Sequence, residues 1–303
     1  MTDKLRAYLA LHFCVLIWGF TAILGKLITL QALPLVWWRV LICCGALLAF
    51  MPAAQIRNVS RSQFKRLFGV GILVGIHWLC FYGAVKIANA SVGVASMATT
   101  SFFAAFAEPI VMKQRIKWYE LALGALILPG MALVVGTIDW TMRAGLAVGV
   151  LGALLAAVFT AFNKRILDND PPPPLAMSLV ELSGALGVTS VVMIPMLLYN
   201  PGMPVMLQGW DWLWILVLSI VCTLLPYYLT LLAMRHLTAF ATNLTINLEP
   251  IYGVLLAAVL FREDKDLGTH FYIGMLIILL SVFSHPFLKK IFEKKAPATA
   301  PVS

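Results

Sequence analysis

Ten stretches of about 20 mostly apolar residues follow one another along this 303-residue chain, and helices of that length and polarity are suited to the roughly 30 Å apolar interior of a bilayer. They occupy residues 7–29, 33–53, 64–87, 91–112, 118–137, 142–167, 175–199, 212–234, 239–261 and 269–287. Only 12% of the residues are charged, against roughly 25% in an ordinary soluble domain, while 61% are hydrophobic and the mean hydropathy is +0.93. Membrane-spanning β-strands would alternate polar and apolar residues at period two, and residues 146–161 show no such alternation. The expected fold class is therefore all-α integral membrane, with ten transmembrane helices.

Basic residues in short loops are retained on the cytoplasmic side, which orients the chain. With the N-terminus inside, 16 of the 22 lysines and arginines fall on inner segments: the groups around Lys4, Arg57, Lys65, Arg115, Lys164 and Arg235, and the tail from Lys289. Outer loops hold Lys86, Arg143, Arg262 and Lys265, while Lys26 and Arg39 lie within spans. Both termini are predicted to be cytoplasmic, and the protein is placed as multi-pass in the cytoplasmic (inner) membrane. The net charge of +9 has the same topological origin. Scattered in this way, the basic residues argue against a nucleic-acid partner, which would call for one basic, aromatic-rich stripe. Cys14, Cys43, Cys44, Cys80 and Cys222 all lie in apolar spans and read as small packing residues rather than disulfides. Residues 7–29 resemble a signal peptide, but Lys26 stands where a small cleavage-site residue belongs, so the segment is expected to remain as the first helix.

The two halves of the chain repeat each other. Phe20-Thr21-Ala22 matches Phe159-Thr160-Ala161, which sets Lys26 opposite Arg165. Pro34-Leu35 and Pro174-Leu175 open the second and seventh spans; Ala84-Val85-Lys86 lies over Ala233-Met234-Arg235, and Gly124 over Gly274. Because each half holds an odd number of spans, the second enters the membrane from the opposite side. The result is two inverted five-helix repeats, residues 1–140 and 141–288, followed by a basic cytoplasmic tail, 289–303. The linker from Asp168 to Pro174 reads as a stiff extended spacer. Gly145, Gly149, Ala153, Ala157 and Ala161 recur at every fourth residue, a small-residue stripe that admits another backbone closely.

Several residues carry a family likeness: Trp18-Gly19 with Lys26 in the first span, Arg39 after Pro34 in the second, the run from Asn247 through Glu249-Pro250 to Tyr252 and Gly253, and the exit Phe261-Arg262-Glu263. In these the chain resembles the ten-helix EamA-type members of the drug/metabolite transporter superfamily. The resemblance implies a secondary transporter working by alternating access, with export of an amino-acid-like or aromatic metabolite as the expected activity. Multidrug, nucleoside and vitamin carriers of the same fold are the alternatives. It also implies no enzymatic activity, no cofactor, protons as a candidate coupling ion, and a monomer or homodimer. The chain departs from the family where Thr100-Ser101 stands opposite Glu249-Pro250; Glu108-Pro109 follows one to two turns later, so the unwinding point of the first repeat is expected to be displaced there.

Charged and polar residues inside a bilayer tend to face a partner or a wet cavity, which nominates the site. Lys26 and Arg39 either bind a substrate carboxylate or phosphate, Arg39 through its bidentate fork, or snorkel to the outer interface. Asn243, Asn247 and Glu249 crowd the middle of the ninth span beside a proline, and Glu249, the most deeply placed acid, is also the candidate for coupling a proton to the rocking of the repeats, with His77 as the alternative. Trp18, His77, Trp78, Tyr82, Ser101, Tyr227 and Tyr228 complete the candidate substrate-binding set. Glu181 and Arg165 are expected to form an ion pair, either closing a gate or serving as a static structural salt bridge, and Glu108 an interfacial pairing with Lys113 and Arg115. No metal-ligand spacing, phosphate loop or nucleophile elbow is present. An intramembrane lipid-modifying enzyme would need clustered carboxylates or histidines, which here are dispersed, and a channel would need a polar-lined filter.

The basic-residue bias makes a topological prediction. Single cysteines at Asn58 and Asn169 should be shielded from an impermeant maleimide added to intact cells, and one at Pro204 should react. The opposite labelling pattern would reverse the orientation.

Overall fold

The computed structural model describes residues 2–136, 139–249, 252, 256 and 268–295. Among them every regular element is helical. Seven helical stretches are long and apolar enough to cross a membrane: Asp3–Leu27, Ala32–Phe50, Arg61–Ile87, Ala90–Met112, Trp140–Asn169, Pro174–Tyr199 and Asp211–Ala233. Helices also stand at the three other expected positions, Trp118–Gly136, Ala239–Ile246 and Thr269–Lys295. The expected continuation of the ninth span, including Pro250, Ile251, Gly253 and the exit Phe261-Arg262-Glu263, lies outside the described residues.

Local chemistry sets where the helices start and stop. The first span is α1 (Asp3–Trp18) and α2 (Thr21–Leu27), parted at Gly19-Phe20, where the Thr21 hydroxyl donates to Trp18 O at 2.7 Å. Helix α3 (Ala32–Phe50) stops before Pro52, and a short α4 (Ala53–Arg57) follows. A capping box opens α5 (Arg61–Ile87): Ser60 Oγ accepts from Gln63 N at 3.1 Å, and Gln63 Oε1 from Ser60 N at 2.9 Å. The fourth span divides into α6 (Ala90–Met97), capped by Asn89, and α7 (Thr100–Met112). Then come α8 (Trp118–Gly136), α9 (Arg143–Asn169) and α10 (Pro174–Tyr199), the last with proline in its first turn. The eighth span is α11 (Asp211–Leu216), a π-helix over Val217–Leu224, and α12 (Leu225–Ala233). Thr238 caps α13 (Ala239–Ile246), and α14 covers Thr269–Lys295.

The break in the fourth span corrects the displaced unwinding point expected at Glu108-Pro109. That pair sits inside α7, and the interruption is at Ala98-Thr99, in register with Asn247-Leu248 after α13. No proline is required. The Ser96 hydroxyl donates to Gly93 O at 2.7 Å and the Thr99 hydroxyl to Ser96 O at 2.8 Å, so side chains satisfy carbonyls at the break.

Helix contacts follow the exchange of halves. α5 packs on α9 as α12 packs on α1, α7 on α9 as α13 on α1, and α5 on α10 as the π-helix and α11 pack on α3. The contacts α3 with α10, α7 with α13 and α8 with α14 map onto themselves. Apolar side chains such as Phe13, Leu48, Ile194, Val221 and Phe283 point outward, and Trp118, Trp140, Tyr199, Trp210 and Trp212 are exposed near helix ends, where amphipathic rings suit a headgroup interface.

Backbone proximity holds the centre together. A Cβ built on Gly71 of α5 would lie 1.9 Å from Glu181 O of α10, and one on Gly184 of α10 would lie 2.3 Å from Phe68 O. The predicted small-residue stripe serves the other face of α5, where a Cβ on Gly145 would meet Ala88 at 2.8 Å. Gly71→Ala should therefore destabilise by about 1–3 kcal/mol through overpacking against backbone that cannot retreat, read as a lower melting temperature in detergent. Gly45→Ala, with nothing within 4 Å of the added methyl, is the control and should melt no lower than the parent. Equal melting of Gly71→Ala and the parent would show that α5 and α10 do not meet this closely.

Candidate functional site

The two halves line a cavity of about 120 Å³ whose wall draws on the first, second, third, fourth, sixth, eighth and ninth spans. Its walls mix aromatic rings, Trp18, Trp78, Phe81, Phe159 and Tyr227 with His77 among them, with hydroxyl-bearing and aliphatic residues. Trp78 and Tyr227 meet edge to face at 6.2 Å between ring centroids, and His77 and Phe159 at 5.4 Å. Repeat-related positions meet here. Thr21 and Thr160 both line the cavity, as do Trp78 and Tyr227, and Thr100 and Glu249.

Arg39 is the cation of this wall. It is 3% exposed, which corrects the snorkelling reading, and is separated from Lys26, which lies exposed in the last turn of α2 and away from the cavity. Its Nε donates to Thr223 Oγ1 at 2.5 Å and its Nη1 to Tyr82 Oη at 3.0 Å, while the guanidinium carbon stands 4.1 Å from the Trp78 ring centroid. The π-helix makes this possible: the Thr223 hydroxyl gives its own proton to Leu218 O, five residues back, and so presents a lone pair to Arg39. Nη2 has no partner among the described residues, which leaves one edge of the fork for an anionic group.

Glu249 is the acid of the same cavity, 7% exposed, immediately after the break at Asn247-Leu248. Asn243 lines the wall one to two turns earlier, its Nδ2 without a partner among the described residues. Asn247 turns away and donates through Nδ2 to Ser101 Oγ at 2.7 Å, joining the two interrupted spans behind the cavity. Tyr82 also stands behind it as a support for Arg39, and Tyr228 is outside the lining. His77 does line the cavity, with Nδ1 2.8 Å from Gly152 O; a carbonyl only accepts, so Nδ1 carries the hydrogen and Nε2 is left as an acceptor in the neutral ring.

Two expected ion pairs are corrected. Arg165 donates to Val111 O at 3.1 Å rather than to Glu181, because α9 turns that side chain toward α7. Glu181 instead accepts from Tyr227 Oη and, at 3.3 Å, from Asn163 Nδ2, both residues of the cavity wall. Glu108 is buried and accepts the backbone N–H of Phe240, one of the unsatisfied donors in the first turn of α13, rather than pairing with Lys113 or Arg115. Asn163, Thr223 and Thr230 were not singled out by sequence reasoning, although all three are polar residues within apolar spans. Isolated hydroxyls bond so readily to their own helix that position alone does not mark Thr223 or Thr230, but Asn163, one turn beyond the repeated Phe159-Thr160-Ala161, carried a usable signal.

No curated protein matches the chain. A solved crystal structure, described only as that of a protein, superposes with a TM-score of 0.70 at 15% identity over 95% of this chain and 99% of its own, a likeness of fold alone. The profile of the EamA-like transporter family matches twice, over residues 5–136 and 143–284. With both halves matched and a cavity between them, the chain belongs to the EamA-like transporter family and is a multi-pass membrane transporter of small molecules.

Proposed function

We propose that the protein is a secondary transporter of the cytoplasmic membrane that exports an amino-acid-like or aromatic metabolite by alternating access. In this reading ten transmembrane helices form two inverted halves, 1–140 and 141–288, both termini are cytoplasmic, and the halves rock about the cavity. One observation carries the reading: a guanidinium with a free edge and a carboxylate share a cavity whose other walls include the rings of Trp18, Trp78, Phe81, Phe159 and Tyr227. A substrate with an anionic group, a hydrogen-bond donor and a planar body finds a counterpart for each part. The repeat-related positions on the wall support rocking, because both halves contribute equivalent places of their framework to the cavity. Lys26, Tyr82, Ser101, Tyr228 and Asn247, placed outside the lining, act in this reading through support or packing, while Trp18, Arg39, His77, Trp78, Tyr227, Asn243 and Glu249 touch the substrate.

Counterflow tests the carrier. Proteoliposomes loaded with unlabelled tryptophan should take up labelled tryptophan faster than empty ones; competition by nucleosides or drug-like cations but not by tryptophan would assign a different substrate class, and no exchange with any of them would overturn the carrier reading. Arg39 tests recognition. Arg39→Lys keeps the charge but loses the planar fork and should weaken binding about ten-fold, the equivalent of one charged hydrogen bond, and Arg39→Ala should weaken it further. Identical kinetics in all three proteins at matched expression would remove Arg39 from the binding site.

A further inference from the structure

Glu181 stands apart from the other buried acids. It is wholly buried at the α10 face opposite Gly71, and no ion pair among the described residues includes it. Its Oε2 accepts from Tyr227 and Asn163, whereas Oε1 has no partner among the described residues, and neither has Asn163 Oδ1 beside it. The surrounding elements supply no compensating charge. α12 presents Tyr227 and α3 presents Cys44, which reaches Ser183 on α10. Arg39 is engaged by Thr223 and Tyr82, and on α9 Lys164 is taken by Asp168 and Met234 O, and Arg165 by Val111 O. A buried carboxylate without a cation is expensive to keep charged, while a carboxyl with an unpartnered oxygen has a place for a proton. Glu249 differs, because its cavity already holds the Arg39 guanidinium.

We infer that Glu181 is the proton-binding site of the transport cycle, reached from the cavity through Tyr227, and that the proton role assigned to Glu249 on depth alone belongs here. The link of this proton to a transport cycle and to the movement of the halves rests on the transporter reading. In the uptake step the Tyr227 O–H bond breaks as its proton joins Glu181 Oε2, the tyrosine oxygen takes a proton from a hydronium ion in the cavity, which is left as water, and the carboxyl turns so that the protonated oxygen takes the unpartnered position and the other oxygen accepts from Tyr227. The net change is one proton moved from the cavity to Glu181, which becomes neutral. Release runs the same steps backwards. Neutral and charged Glu181 differ in their need for water, so the proton biases the halves between a closed and an open arrangement around this wall.

Two measurements that need no substrate test this. In infrared difference spectra of purified protein, the carbonyl stretch of a buried protonated carboxyl should vanish as pH rises. Glu181→Gln should lack that band, Glu249→Gln should keep it, and Tyr227→Phe should shift its midpoint. In an Ala156→Cys protein otherwise free of cysteine, maleimide labelling of the cavity should depend on pH, and adding Glu181→Gln should abolish that dependence while circular dichroism and elution volume stay unchanged. A titrating band retained in Glu181→Gln, or labelling with equal pH dependence in its presence, overturns the assignment, as does the absence of any titrating band in the parent. Counterflow is read separately, so a failure of the carrier reading leaves a different signature.

Discussion

Hydrocarbon offers no hydrogen-bond partner, and this constraint decides where the helices of this protein break and where its charges sit. Breaks at Ala98-Thr99 and Asn247-Leu248 lie where protein surrounds the chain, the break at Gly19-Phe20 pairs a buried glycine with an exposed Phe20, and side-chain hydroxyls or amides stand beside each one. The same rule places Arg39. Its charge survives in the interior because a π-helix bends a threonine lone pair toward it, a tyrosine takes a second donor and an indole face lies against the guanidinium. Glu108 is accommodated by a helix N-terminus and Glu181 by two neutral donors. Arg39, Glu108 and Glu181 are therefore also ties between spans.

Close helix approach is the second consequence. Lipid tails are as apolar as leucine, so helices in a bilayer gain by packing density and not by escaping water. At Gly71 and Gly184 the backbones of α5 and α10 come together until no methyl fits, and at Gly145 and Gly149 α9 closes on the other side of α5 and on α6. α5 is thus clamped between the first two helices of the second half, as the eighth span lies against the first two spans of the first half. In the proposed alternating-access cycle, this exchange of equivalent contacts would let the two halves trade places around a fixed centre.

Much of this architecture was legible in the sequence. Apolar length alone located the helical blocks, because the bilayer imposes it regardless of tertiary detail, and the order of short matches such as Phe20-Thr21-Ala22 with Phe159-Thr160-Ala161 exposed the repeat. What escaped was whatever depended on side-chain direction. Arg39 and Lys26 look alike along the chain, both basic and near an expected outer end, yet helix rotation buries one and exposes the other. Arg165 and Glu181 have suitable charge and depth for a pair, but α9 aims the arginine at Val111. The break at Ala98-Thr99 has neither proline nor glycine at its centre; it rests on serine and threonine back-bonding, a pattern that elsewhere leaves a helix intact.

The repeats are alike in backbone and unlike in charge, and that difference carries the chemistry. Thr100 occupies in the fourth span the place Glu249 holds in the ninth, so the pseudo-symmetric framework presents a hydroxyl on one side of the cavity and a carboxylate on the other. Arg39 is likewise without a basic counterpart, since Leu179 stands at the matching position of α10. A perfectly symmetric cavity would present identical groups from both halves and hold a dipolar molecule in two opposed orientations equally well. In the proposed transporter reading, with the guanidinium contributed by the first half and the acids by the second, one orientation is favoured, and it stays favoured as the halves rock because each charge travels with its own half. In that reading symmetry supplies the motion, and its local violation supplies the recognition.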